Sequence, residues 1–205
     1  MEPNELFNRI CNVLEEKEIN FHRVDRHLII IANMPSVVPN LSSFKCAVHV
    51  RDTSMVSYAT CPVSASGNEE KVVEFLNRAN YGLVNGCFEM DYDDGEIRYR
   101  ANNNFECAGE AENIDDDAIL SLFHLPLMMF LRYGKGLVNV LFCDADPAKE
   151  IEICESKDIS IDDDDEDDKG DKGNNDDDTN VEIDEEKAME ILRSILNSTD
   201  DEEDD

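Results

Sequence analysis

The segment from residue 69 to 100 constrains the fold most, because its hydrophobic period changes from that of a helix to that of a β-strand. Its first half repeats apolar residues on one face of a 3.6-residue period, at Val72, Leu76, Ala79 and Leu83. Beyond Gly86 the period becomes two, which is typical of a half-buried strand. The segment therefore predicts an amphipathic helix that leads into an antiparallel β-hairpin.

The dipeptide Asp94-Gly95 predicts a two-residue turn, because a type I′ turn needs positive φ at both central residues. This turn would align the apolar side chains of one face as the pairs Tyr92–Ile97, Met90–Tyr99 and Phe88–Ala101. On the other face it would place opposite charges together, as the pairs Asp91–Arg98 and Glu89–Arg100. A shift by one residue would break both alignments, so we take this register as the prediction.

The remaining periodicities predict the other elements. A first helix is expected at about 4–17, strands at 19–25, 27–33, 43–51 and 55–61, and a last helix that begins near Asn113, with Asp116 at the capping-box position. The first two strands could also be one bent strand. Pro126 and Gly134-Lys135-Gly136 are expected to kink or divide the last helix. The order α-β-β-β(-β)-α-β-β-α predicts an α+β fold, an antiparallel sheet with helices packed on it.

The charge of the chain is concentrated at its C-terminal end. The net charge is −31, and residues 156–205 carry 23 acidic and 5 basic side chains, a net of −18. We predict a folded domain over residues 1–150, a disordered acidic linker over 151–183, an amphipathic helix over 184–198 and an acidic tail over 199–205. Because this field repels phosphates and anionic lipids, neither nucleic acid nor a membrane is an expected partner.

No motif in the chain indicates catalysis or a cofactor. The seven cysteines contain no C-x-x-C pair and are interpreted as reduced core residues, and the four histidines lack metal-ligand spacing. Asp165, Asp167, Gly170 and Asp176 match EF-hand positions, but Lys169 occupies a position that needs an oxygen ligand. The sequence therefore predicts a protein that is not an enzyme, with no cofactor and no metal site. The absence of an apparent signal peptide or membrane span favours a cytoplasmic location.

Besides the order of elements, the helix–hairpin unit contains four short motifs: L76-N77-x-x-N80, G86-x-F88-x-M90-D91, D94-G95-E96 and Y99-R100. In its order of elements and in these motifs, the chain resembles the bacterial YbjN family over roughly residues 3–145. That family resembles the type III secretion chaperone fold, a curved antiparallel sheet packed against helices. The resemblance implies a non-enzymatic protein that escorts or regulates other proteins, and it also implies a homodimer.

The function predicted from the sequence is a non-catalytic adaptor or chaperone-like regulator that binds a protein of unknown identity. The final helix presents Ile191, Leu192, Ile195 and Leu196 on one face, and these are the predicted partner-binding residues. This helix could occupy the domain's own surface, or it could be a docking motif that another protein reads. A further alternative is an enzyme whose residues meet only in three dimensions. Asn77 and Asn80 could form a recognition pair or could bond to a neighbouring backbone.

Overall fold

The structure is a computed structural model that describes residues 2–36, 38, 41–51, 54–104 and 109–156. Four helices and six strands lie in this part of the chain, and the fold is α+β, as predicted. The elements are α1 (Pro3–Glu16), β1 (His22–Val24), β2 (Ile29–Pro35), β3 (Ser43–Arg51), β4 (Ser54–Thr60), α2 (Glu69–Gly82), β5 (Cys87–Met90), β6 (Ile97–Asn104), α3 (Asp116–Phe142) and α4 (Pro147–Ser156). Short 3-10 turns cover Asp25–His27 and Ala111–Asn113.

The six strands form one antiparallel sheet in the order β1-β2-β3-β4-β6-β5. The first two predicted strands are separate, because β1 pairs with β2 across the turn and does not continue into it. Leu28, which ends this turn, has a positive φ of 51°. The chain reverses at this point, and the alternative of one bent strand is wrong.

One face of the sheet forms the core. On β3, Phe44, Cys46, Val48 and Val50 are buried, and the residues between them are half-buried or exposed, as the predicted alternation requires. Helices α1 and α3 pack against this face. Phe130 of α3 packs against Phe44 with ring centroids 4.6 Å apart and against Phe88 at 5.2 Å, so aromatic contacts join the helix to the sheet.

Helix α3 is continuous over 27 residues, so Pro126 and the two glycines do not divide it, and of the two predicted effects only a kink stays a prediction. It also begins later than predicted, because the N-cap is Asp115, whose carboxylate accepts a hydrogen bond from the N–H of Asp117 at 2.8 Å. Asn113 instead ends the preceding 3-10 turn.

The glycines of α3 are present because neighbouring elements approach its backbone closely. A Cβ at Gly136 would lie 2.8 Å from Cys154 Sγ, and a Cβ at Gly134 would lie 2.8 Å from Val38 Cγ2. Both distances are shorter than normal contact, so only glycine fits. The segment is a packing site inside a helix rather than an interruption of it.

The hairpin register differs from the prediction by two residues. Met90 pairs with Ile97 and Phe88 with Tyr99, so Tyr92 lies in the turn and is 71% exposed. Gly95 has φ of +75°, but Asp94 does not have a positive φ, and a longer turn closes with a bond from the Gly95 N–H to the Asp91 C=O at 2.8 Å. The type I′ turn is therefore wrong. The side chains within β5 and β6 keep their predicted faces, because a shift of two preserves the alternation, but Tyr92 leaves the apolar face for the turn.

The folded body continues past residue 150. Helix α4 packs on α2 and α3 and buries Ile151 and Cys154, so residues 151–156 are helical and the linker prediction is wrong for them. The first compact unit of the chain is Met1–Ser156. The rest of the predicted linker, the predicted helix over 184–198 and the predicted tail over 199–205 lie outside the described residues.

Candidate functional site

The candidate site is the face of the sheet opposite α1 and α3, which we call the open face. Cross-strand pairing and strand alternation place its side chains in three rows. One row is Ile31, Ala47, Tyr58, Arg100 and Cys87; a second is Asn33, Lys45, Thr60, Arg98 and Glu89; a third is Ile29, His49, Val56 and Asn102, with Arg51 beyond it on β3. Most of these residues are half-buried or exposed, which is typical of a solvated sheet face.

Two arginines of β6 share one carboxylate on β5. Glu89 accepts from Arg98 Nε at 2.9 Å and from Arg100 Nε at 2.6 Å. Burial raises the pKa of Glu89, but the hydrogen bonds and charges of Arg100 and Arg98 outweigh it, so this pKa lies below its ordinary value. The hydrogen bond to Glu89 raises the pKa of Arg100. Arg98 Nη1 also lies 3.7 Å from Glu96 Oε1, so two carboxylates face the two guanidiniums.

Tyr58 provides an apolar surface beside these charges. The guanidinium of Arg98 lies over its ring, 5.0 Å from the centroid. Ile31 and Ala47 continue the same row across β2 and β3, and both are half-buried. The centre of the open face is therefore apolar and aromatic, with arginine at one side.

Unpaired basic residues lie on the β3 side of the open face. Lys45 and Arg51 are exposed, and neither takes part in an ion pair among the described residues. Burial, and then the charge of Arg51, lower the pKa of the neighbouring His49, so this imidazole is neutral near pH 7. Including Arg98 and Arg100, the open face has four Lys or Arg residues, and the carboxylates of Glu89 and Glu96 pair with the two on β6.

The edge of the sheet beside the open face is closed by a side chain. The amide of Asn80 accepts from the Phe88 N–H at 2.7 Å and donates to the Phe88 C=O at 2.9 Å. These backbone groups of β5 would otherwise be open to an added strand. Asn80 therefore has the backbone-bonding role, while Asn77 is exposed.

The thiols are unsuited to nucleophilic chemistry where they are deeply buried. Burial raises the pKa of Cys46 to about 12 and that of Cys61 to about 11, so both stay protonated at neutral pH. The six cysteines in the described part of the chain are free thiols; Cys143 is exposed rather than packed in the core. Within the described residues, no group of three or more His, Cys, Asp or Glu side chains is arranged to hold a metal ion.

The partner-binding residues predicted from the sequence, Ile191, Leu192, Ile195 and Leu196, lie outside the described residues, and so do the four EF-hand positions. Sequence reasoning missed the open face. Its basic residues occur at polar positions of β3 and β6. These strands are distant in the sequence, since Lys45 and Arg98 are more than 45 residues apart. They come together because β4 pairs with both strands, and nothing in the local pattern shows that pairing.

No helix in the described part of the chain is long and apolar enough to cross a membrane. No protein-family model matches the sequence, and none of the curated proteins matches it. Among solved structures, the chain is similar to YbjN of E. coli, a proposed transcription regulator, with 11% identity and a TM-score of 0.34 over 58% of this chain and 92% of the other. A likeness at this level does not establish a family, so the resemblance to the YbjN family stays a prediction.

Proposed function

We propose that the chain is a non-catalytic protein-binding adaptor or chaperone-like regulator, and that it holds a partner segment on the open face. The observation that supports this proposal is the composition of that face. A sheet face that only meets water needs no apolar centre, yet Ile31, Ala47 and Tyr58 form a continuous row there. Such an apolar row bordered by charged side chains is the common composition of a protein-binding surface.

The closed edge of β5 disfavours strand addition at that edge. With Phe88 bonded to Asn80, a partner strand would find its first hydrogen-bonding positions already occupied. Side chains of the open face remain available, and Tyr58 and the arginines are residue types enriched at interfaces. Docking beside β5 would therefore depend on side-chain contacts more than on backbone pairing.

The test is affinity purification of the full-length chain from its native host, with three variants compared with the wild type. Lys45→Glu/Arg51→Glu changes the open face, whereas Lys135→Glu/Lys149→Glu makes the same charge change at exposed positions on α3 and α4. We expect one set of proteins to be retained by the wild type and the control but lost from the open-face variant.

The third variant, Leu192→Asp/Ile195→Asp, tests the predicted C-terminal helix as a docking motif. Loss of the same proteins from this variant alone, with the open-face variant unaffected, would overturn the assignment of binding to the open face. Thermal unfolding of each variant has to match the wild type before a lost protein is counted.

A further inference from the structure

We propose that one side of α3 binds a second copy of this chain, with the two α3 helices antiparallel. We call this side the outer stripe, and its residues, none of which is fully buried, are Asp117, Leu125, Met128, Leu131, Arg132 and Lys135. The proposal goes beyond the proposed function and does not depend on it, because α3 packs on the face of the sheet opposite the open face.

The middle of the outer stripe is apolar. Leu125, Met128 and Leu131 are only half-buried, whereas Phe123 and Phe130 of the same helix are at most 1% exposed. Helix α4 covers the C-terminal half of α3 and leaves these three side chains partly open to water. Packing against another helix would bury them.

The two ends of the outer stripe carry opposite charges that have no ion-pair partner among the described residues. Asp117 lies in the first turn of α3, and Arg132 and Lys135 lie about four and five turns further on. The Nε of Arg132 is also buried without a hydrogen-bond partner in this part of the chain. Glu150 and Glu155 of α4 accept hydrogen bonds from uncharged side chains of α3 instead. At 1.5 Å per residue the two ends are about 27 Å apart, more than three Debye lengths at 0.15 M salt, so they do not neutralise each other within one chain.

Antiparallel pairing of two outer stripes satisfies both ends at once. With the two-fold axis midway between Asp117 and Lys135, each Asp117 lies over Lys135 of the second copy and within one turn of its Arg132. Near the axis, Met128 of each copy lies against Leu125 of the other. Every contact then occurs twice, as in the isologous interfaces of homodimers.

A second copy fits the outer stripe better than the chain's own C-terminal segment does. The apolar residues of that segment, within 191–196, follow Glu185 and Glu186 and precede six consecutive acids at 200–205. Docking in either direction would therefore bring carboxylates against Asp117, which is unfavourable. Helix α3 itself supplies the order of charges that complements the outer stripe.

The experiment is sedimentation equilibrium of the full-length chain at about 0.15 M salt and up to about 200 µM protein, where we expect the mass of two chains. Lys135→Glu and Asp117→Lys should each raise the Kd of the dimer about tenfold or more, because each replaces attraction by repulsion at both ends of the pair. Lys149→Glu, the same charge change at an exposed position of α4, should alter the Kd less than about twofold.

Mixing the two single variants tests the antiparallel arrangement. In a mixed pair of Asp117→Lys with Lys135→Glu, opposite charges face each other again at both ends. The mixture and the double variant Asp117→Lys/Lys135→Glu should therefore recover the wild-type Kd to within about threefold. Recovery would also show that both single variants are folded.

A wild type that stays monomeric at about 200 µM would overturn the proposal, and so would a dimer that Lys135→Glu and Lys149→Glu affect equally. Loss of the dimer in both single variants without recovery in the mixture would overturn the antiparallel pairing and the proposal with it. Lys45→Glu/Arg51→Glu should keep the dimer, and Lys135→Glu should keep the proteins retained by the open face, so the two proposals fail separately.

Discussion

Replacing Asn80 by Ala measures how much the side-chain cap on β5 contributes to stability. The change removes two hydrogen bonds to Phe88, of 2.7 and 2.9 Å. Each is worth about 0.5–1.5 kcal/mol net, so their loss costs about 1–3 kcal/mol. Ala is a better helix former than Asn by roughly 0.6 kcal/mol, which offsets part of the loss. We expect Asn80→Ala to lower the free energy of unfolding by about 0.5–2.5 kcal/mol.

Asn77→Ala is the matched control, because Asn77 lies on the same helix and is exposed. It should gain the same helix propensity and lose nothing, so the two variants should differ by about 1–3 kcal/mol. Urea unfolding at an unchanged m-value measures this difference. Amide hydrogen exchange should also show faster exchange of the Phe88 N–H in Asn80→Ala. Equal stability of the two variants would refute the role assigned to Asn80.

Three further variants test the packing and the charges. Gly136→Ala should destabilise the fold by about 1–3 kcal/mol, because its Cβ would lie 2.8 Å from Cys154 Sγ. The control Gly82→Ala should not, because its Cβ would meet nothing closer than 3.4 Å; equal effects of the two in chemical denaturation would contradict the close packing. Ser57→Ala should leave thermal stability unchanged or raise it by up to about 1 kcal/mol, because the buried Ser57 hydroxyl has no partner among the described residues; a marked loss would reveal one. The folded-state pKa of Glu89 is lowered from its ordinary 4.5, so the stability that Glu89 contributes is present above pH 4.5 and is lost as pH falls through the folded pKa. The stability of the wild type relative to Glu89→Gln should therefore shrink in that range. A difference in stability that does not depend on pH would contradict the ion pairs.

The helix–hairpin unit shows which parts of the fold the sequence could predict. The period of the side chains predicted the face of each residue within β5 and β6 correctly, because alternation is a local property. It could not predict the register, since a shift of two residues leaves each face unchanged. The turn decided the register, and Gly95 accepts a longer turn as readily as a type I′ turn because both need a positive φ at that residue.

Contacts between distant elements explain the errors in the helices. Gly134 and Gly136 look like helix breakers in isolation, but α3 is buried along its length and tertiary packing overrides their low propensity. Residues 151–156 look like the start of an acidic linker, yet Ile151 and Cys154 find apolar partners on α2 and α3. Neither outcome follows from local composition, because both depend on which surfaces meet.

The strand order has a consequence for how the chain folds. Strands β1 to β4 are joined to their neighbours by short connections, and β5 to β6 likewise, but β4 pairs with β6 only after α2 and β5 have been passed. The sheet therefore consists of a four-stranded meander and a two-stranded ribbon that close along one seam of high sequence separation. Closing a long loop is entropically slow, so the seam is the natural candidate for the rate-limiting step of folding. Substitutions along β4 and β6 should then slow refolding more than they accelerate unfolding.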